Sequence, residues 1–376
     1  MYRPVGNSEM TRGLSLWLDV LRVAATLIVV LSHLAYPRFT GTSYAYLRDW
    51  NVGSDAVIVF FVISGLVIAY AADRDGAGSR FVFNRATRLF SVMVPALVLT
   101  LAFDAYGYGI DPEAYPVPFY QSHPTGEFLL RGLTFSNEWS TLGRLRLGTN
   151  GPLWSLSYEA AYYILFGFAI FTKGLSRVAI LIVVIAVAGL NIMLLMPAWL
   201  MGVGLWKWVK SGGPANAARW VGWLLVLLGP ACYLAGHLLG VPELLVDATA
   251  QAFGVSDARW ALGFSDEFLW NFLIGIFTAM FVVGIAVLDP KNMPGHRQVR
   301  WLAGASFSVY VTHYPALHLL DATVADVVGR DLILLFGSLA IGIVFARYFE
   351  RPIGQFREWL AGPKMVQRLK GSRATH

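Results

Sequence analysis

Residues 55–72 read Asp55-Ala56-Val57-Ile58-Val59-Phe60-Phe61-Val62-Ile63-Ser64-Gly65-Leu66-Val67-Ile68-Ala69-Tyr70-Ala71-Ala72, an uncharged run behind a single carboxylate. As a helix, such a run covers most of a hydrocarbon layer of about 30 Å. Outward from it the texture repeats. Further apolar segments fall near 16–36, 89–106, 153–172, 178–196, 197–209, 219–240, 268–288, 304–320 and 332–349. Composition agrees: 56% of the 376 residues are hydrophobic and 14% charged, where soluble chains carry about 25% charged residues. The sequence therefore predicts an all-α, polytopic integral membrane protein with about ten transmembrane helices. Residues 1–350 form the transmembrane domain and 351–376 a basic cytoplasmic tail. Asp19 and Arg22 interrupt the first segment, which makes it a retained helix rather than a cleaved signal. Cys232 is the only cysteine, so neither an intrachain disulfide nor a cysteine metal site is available.

Basic residues set orientation, because cytoplasmic loops hold the Lys and Arg. With a cytoplasmic N-terminus, 22 of the 29 Lys and Arg fall on that side and 7 on the other, alternating loop by loop. This predicts N-in and C-in. The segment 197–209 opens on Pro197 and is short for a crossing. A re-entrant reading of it would place the acidic 241–267 stretch inside and the basic tail outside, so a short sixth span is expected. Two long extracytoplasmic loops, 107–152 and 241–267, remain as places for function.

Ionisable side chains within spans are costly and point to sites. Arg22 and His33 are eleven residues apart, about 20° in azimuth and about 16 Å along one helix. They share a seam. Arg22 also has Asp19 as a neighbour for a surface-seeking pair, and His33 has lipid headgroups within reach. Glu159 follows Trp154-Ser155-Leu156-Ser157-Tyr158 at the expected outer opening of the fourth span, at the depth of His33. A carboxylate there suits the orientation of an imidazole; it equally suits a helix N-terminus. Arg80, Arg85 and Arg88 cluster before the third span, and a pair at i, i+3 fits a phosphate or anionic lipid. His313 sits near the middle of the ninth span with Tyr310 on its face. His318 is about 140° away from it, which disfavours a two-histidine metal face. No nucleotide-hydrolysis, dinucleotide, zinc-protease or serine-elbow motif is present.

Taken together, these motifs resemble the acyltransferase-3 family of bacterial integral-membrane O-acyltransferases. Leu18-Asp19-Val20-Leu21-Arg22 leading to Ser32-His33 is similar to the family's opening helix. Phe60-Phe61-Val62-Ile63-Ser64-Gly65 is similar to its second-helix signature. Arg85 and Arg88 with Leu89 and Pro95, Trp154-Ser155-Leu156 with Glu159, Ser308 to His313, and Tyr348-Phe349-Glu350-Arg351-Pro352 follow in family order. Spacing departs between Asp55 and Phe60, and Phe90-Ser91 stands where a proline is usual. The resemblance implies transfer of an acyl group, most simply acetyl, from cytoplasmic acetyl-CoA or another acyl-CoA to a hydroxyl of an extracytoplasmic glycan or lipid-linked sugar. It places the protein in a bacterial cytoplasmic (inner) membrane, among lipids and without a nucleic-acid partner or a metal. By position it implies His33 and Glu159 as catalytic residues and Arg22, Arg85, Arg88 and Ser64 as acyl-CoA contacts. Tyr310, His313 and Trp154 are then expected to line the cavity or meet the acceptor. A proton-coupled transporter using His33, Glu159 and His313 is the alternative.

Overall fold

The computed structural model describes residues 9–117 and 119–361. Arg3 and the tail residues Lys364, Arg368, Lys370 and Arg373 lie outside the described residues. Ten principal helices occupy the ten expected segments: α1 (Arg12–Leu34), α2 (Val52–Asp75), α3 (Gly78–Ile110), α4 (Trp154–Phe171), α5 (Gly174–Ala188), α6 (Leu190–Lys210), α7 (Arg219–Leu238), α8 (Phe268–Leu288), α9 (Ser306–Thr323) and α10 (Arg330–Phe349). No strand occurs among the described residues. Seven helical stretches, those carrying α1, α2, α3, α6, α7, α8 and α10, are long and apolar enough to cross a membrane. The other three, α4, α5 and α9, have 18, 15 and 18 residues. Two connections are tight. Thr11 caps α1 by accepting from the Leu14 amide, and Gly76, at φ 67°, ends α2 so that α3 starts two residues later.

One boundary differs from expectation. The break between the fifth and sixth segments is not at Pro197 but at Gly189, whose φ of 92° suits glycine. The hydroxyls of Ser140 and Thr141 donate to the carbonyls of Ala188 and Val187 there, at 3.4 and 2.7 Å. That satisfies the end of α5. Pro197 instead lies inside the 21-residue α6, where close neighbours tolerate the lost amide. The sixth helix is therefore about 30 Å long rather than short, and the fifth is the abbreviated one.

Glycines set the α2–α6 contact. A Cβ at Gly65 would run into the Trp199 carbonyl, and one at Gly202 into that of Val62, so small residues allow close backbone approach. Gly65→Ala is expected to lower the thermal midpoint of the purified protein by the equivalent of about 1–3 kcal/mol, the usual range for overpacking. A midpoint equal to wild type would show that the two backbones separate freely.

The 107–152 loop folds back into the bundle. Arg131 donates to the carbonyls of Ser136, Leu142 and Gly143, and Thr149 binds Asp104 of α3 through its amide (2.9 Å) and hydroxyl (2.5 Å). Glu138, also in this loop, is buried. Burial raises its carboxyl to about 7 against the pull of Arg144, Arg146, Arg259 and Arg131. A carboxyl raised on folding contributes stability below its unfolded value and loses it as pH climbs through the folded one. The thermal midpoint should thus decline between about pH 5 and about pH 8, and Glu138→Gln should remove up to about 3 kcal/mol of that dependence. An unchanged slope in the variant would reject the assignment.

Candidate active site

Two clusters sit along α1. Around Arg22, a cavity of about 110 Å³ is lined by Arg22, Ser64, Arg85, Arg88, Glu159 and Tyr310, with Phe60, Leu89, Tyr163 and Phe307 among its apolar walls. Five of the residues expected to meet a cofactor or a catalytic centre thus converge in one space. Arg22 is held by Asp19 at 3.0 Å. Arg85, 8% exposed, has its Nε without a hydrogen-bond partner among the described residues. Such a buried donor costs stability unless a ligand satisfies it. Arg85 and Arg88 lie within the first turns of α3, one helical turn apart as the sequence predicts. Arg357 ties the chain beyond α10 to this same end, donating to Thr87 (2.9 Å) and the Asn84 carbonyl (2.8 Å). Glu350 accepts from the Ser308 amide at 2.9 Å, steadying the start of α9.

Glu159 lies with the arginine cavity and not against His33. Its carboxylate accepts from the Ser64 hydroxyl and from Tyr163 Oη at 2.5 Å, and Trp199 Nε1 supports Ser64 at 3.2 Å. The expected His33–Glu159 hydrogen bond is not formed among the described residues. The reason is the preceding loop. Asn150 donates to the Val311 carbonyl at 2.8 Å, Tyr310 Oη to the Pro152 carbonyl at 3.0 Å, and Ser155 meets Tyr310 at 2.6 Å. The start of α4 is therefore anchored against the interior of α9. Glu159, more than a turn further on, reaches the arginine cluster. Trp154 also departs from expectation: it is 6% exposed and stacks on Phe264 at 4.4 Å, within the core rather than on this cavity.

His33 pairs instead with His313. Its Nδ1 lies 2.9 Å from the Val29 carbonyl and 3.1 Å from His313 Nε2. His313 Nδ1 faces the Tyr310 carbonyl at 2.7 Å and that of Val309 at 3.2 Å. Carbonyls only accept, so each Nδ1 carries the proton. His313 Nε2 is then a bare acceptor for His33 Nδ1–H, and His33 Nε2 keeps a free lone pair. The ring order is consistent from one histidine to the next. Tyr314 lies 4.6 Å from His33, centroid to centroid, and Tyr310 lies 6.0 Å from His313. Tyr310 therefore stands between the two clusters. His318 binds the Ala114 carbonyl at 3.1 Å, away from the pair. No group of three or more metal-ligating side chains occurs among the described residues.

Tyr163, Trp199 and Tyr314 were not anticipated. Tyr163 follows Glu159 at i, i+4, a spacing that brings side chains together on a helix, and was legible in principle. Trp199 and Tyr314 act through contacts between distant segments and leave no local signal.

Comparison with known proteins adds an independent line. A family model described as an acyltransferase domain matches residues 15–347. An O-acetyl transferase of Shigella phage Sf6 is 27% identical over 240 residues, 58% of this chain and 70% of that protein. The acyltransferase MdmB of Streptomyces mycarofaciens is 28% identical over 151 residues, 39% of this chain and 36% of that protein. No solved structure matches it.

Proposed function

The chain belongs to the acyltransferase-3 family, and from that footing we propose that it is an O-acyltransferase of a bacterial inner membrane. It moves an acyl group, most simply acetyl, from cytoplasmic acyl-CoA to a hydroxyl of an extracytoplasmic glycan or lipid-linked sugar. Ten crossings with both ends inside are part of this reading. The observation that carries it is the pairing of one basic cavity with one imidazole whose Nε2 lone pair is free, separated by Tyr310.

Arg22, Arg85 and Arg88 hold the anionic part of the donor, and Ser64 sits beside them. A cavity of about 110 Å³ suits the pantetheine end and not a whole nucleotide, which stays at the mouth. Glu159, fixed by Ser64 and Tyr163, puts one carboxylate in the same cavity as the three arginines. At the other cluster, His33 Nε2 removes the acceptor hydroxyl proton as that oxygen attacks the thioester carbonyl carbon. The C–S bond breaks, an ester forms, and the proton passes to the departing thiolate. A two-step route, in which His33 Nε2 first takes the acyl group and then yields it to the acceptor, uses the same atoms. His313 acts as the positioning residue in place of Glu159, since its Nε2 accepts from the His33 Nδ1–H that persists in the imidazolium.

His313→Ala is expected to lower kcat by about 10–100-fold, less than the roughly 10²–10⁴-fold of a direct acid–base group because His313 acts through His33, with KM for acyl-CoA unchanged. His313→Gln, which retains an acceptor, should recover part of the rate. Equal loss in both variants, or a rise in KM alone, would reject the positioning role. The whole reading is tested with purified protein in sealed vesicles, following labelled acetyl-CoA supplied on the Arg85 face and hydroxyl acceptors on the His33 face. Absence of thioester consumption across glycan and lipid-linked acceptors would defeat it.

A further inference from the structure

Beyond the histidine pair, at the end of α1, three guanidiniums converge that the transfer step does not use. Arg38 and Arg48 both lie over the Tyr36 ring, at 5.4 and 4.0 Å from its centroid, and that ring is 6.0 Å from His33. Arg48 donates to Ser32, the neighbour of His33, at 3.1 Å. Arg38 donates to Tyr314 Oη and rests on Phe119 at 4.1 Å. Its Nε and Nη1 are buried with no hydrogen-bond partner among the described residues. Arg146, from the folded-back loop, fills the space where a side chain on Gly151 would go and acts electrostatically on both Arg38 and Tyr314.

None of the three forms an ion pair with a described carboxylate. Asp321, which faces Arg38, is engaged by Arg330 at 2.7 Å, and Glu138, which faces Arg146, is shared among four arginines. Asp111 and Glu113 share a pocket with Arg38 and Asp321 without forming an ion pair to Arg38. Guanidiniums near one imidazole with no direct ion pair to a described carboxylate, one of them with buried unpartnered nitrogens, are costly in isolation and are the arrangement that suits phosphoryl or carboxylate oxygens.

We infer that Arg38, Arg48 and Arg146 form a binding site for an anionic group on the acceptor, phosphoryl or carboxylate, which presents a nearby hydroxyl to His33. This rests on the reading of His33 as the place where the acceptor reacts, and it narrows the acceptor to a charged glycan or a phosphate-linked one. Arg38, locked among aromatic rings, fixes the shape of the site. Arg48 and Arg146, both partly exposed, make the reachable contacts.

Calorimetric titration of the purified full chain tests this without any turnover. The Arg85→Gln/Arg88→Gln protein, which lacks the other basic cavity, is titrated with inorganic pyrophosphate, glucuronate and glucose. Pyrophosphate or glucuronate should bind, glucose should not, and adding Arg48→Gln or Arg146→Gln should weaken binding about tenfold or more, as expected for loss of a charge-assisted contact. Preference for pyrophosphate assigns the site to phosphoryl groups, and preference for glucuronate to carboxylates. If the background variant fails to fold, Arg146→Gln is compared with the wild type, since the Arg146 side chain has no hydrogen bond among the described residues to lose. Absence of anion binding, or binding that Arg48→Gln and Arg146→Gln leave unaltered, overturns the inference. Failure of acyl transfer would leave this titration readable, so the two proposals fall separately.

Discussion

Purified His33→Ala protein should lose acyl transfer by at least about 10²–10⁴-fold, the range for a positioned acid–base group, and entirely if His33 carries the acyl group covalently. The argument is geometric. Nδ1 is committed to Val29 and His313 and Nε2 alone is available, while His318, whose Nδ1 is turned to Ala114, stands off from the pair behind Tyr314. Its hydrogen-bond partners are another ring and a backbone carbonyl already within α1, so helix α1 keeps its own ladder without it. Acyl-CoA affinity and thermal midpoint should therefore stay near wild type. A variant that keeps full transfer, measured with labelled acetyl-CoA, would remove the histidine from the chemistry.

Changing Arg85 and Arg88 together to Ala should abolish measurable acyl-CoA binding. Each charge-assisted hydrogen bond to a phosphate contributes about 1.5–3 kcal/mol, so two lost contacts correspond to about 10²–10⁴-fold in affinity. Arg85 is the stronger test, because its buried Nε has no partner among the described residues and its removal leaves no described carboxylate of its own unpaired. Titration with a non-hydrolysable acyl-CoA analogue decides the matter. Unchanged affinity would return weight to the proton-coupled transporter, which gives this cluster no task.

Most of the helical architecture was legible because long apolar runs leave little choice: in lipid, the backbone must satisfy its own hydrogen bonds. What misled was local punctuation. Pro197 looks like a terminator, yet α6 runs through it, and the chain turns at Gly189, where two hydroxyls from a distant loop receive the end of α5. The arginine cavity was legible for a similar reason, since Arg22, Arg85 and Arg88 are anomalous in apolar surroundings. The partner of His33 was not. That partner was read from the expected opening of α4 alone, whereas Asn150 and Pro152 tie that opening to α9. Glu159 moves with it, and His313 takes the vacant place through a contact spanning 280 positions of sequence.

The layer between the two clusters is thin. On the proposed reading, Tyr310 is both a wall of the donor cavity and a neighbour of His313, so one phenol ring, pinned by Ser155 and Pro152, stands among the groups that separate the donor side from the acceptor side. A shortened side chain at position 310 would leak ions as well as slow the enzyme, which makes membrane conductance a property on which this residue is under constraint.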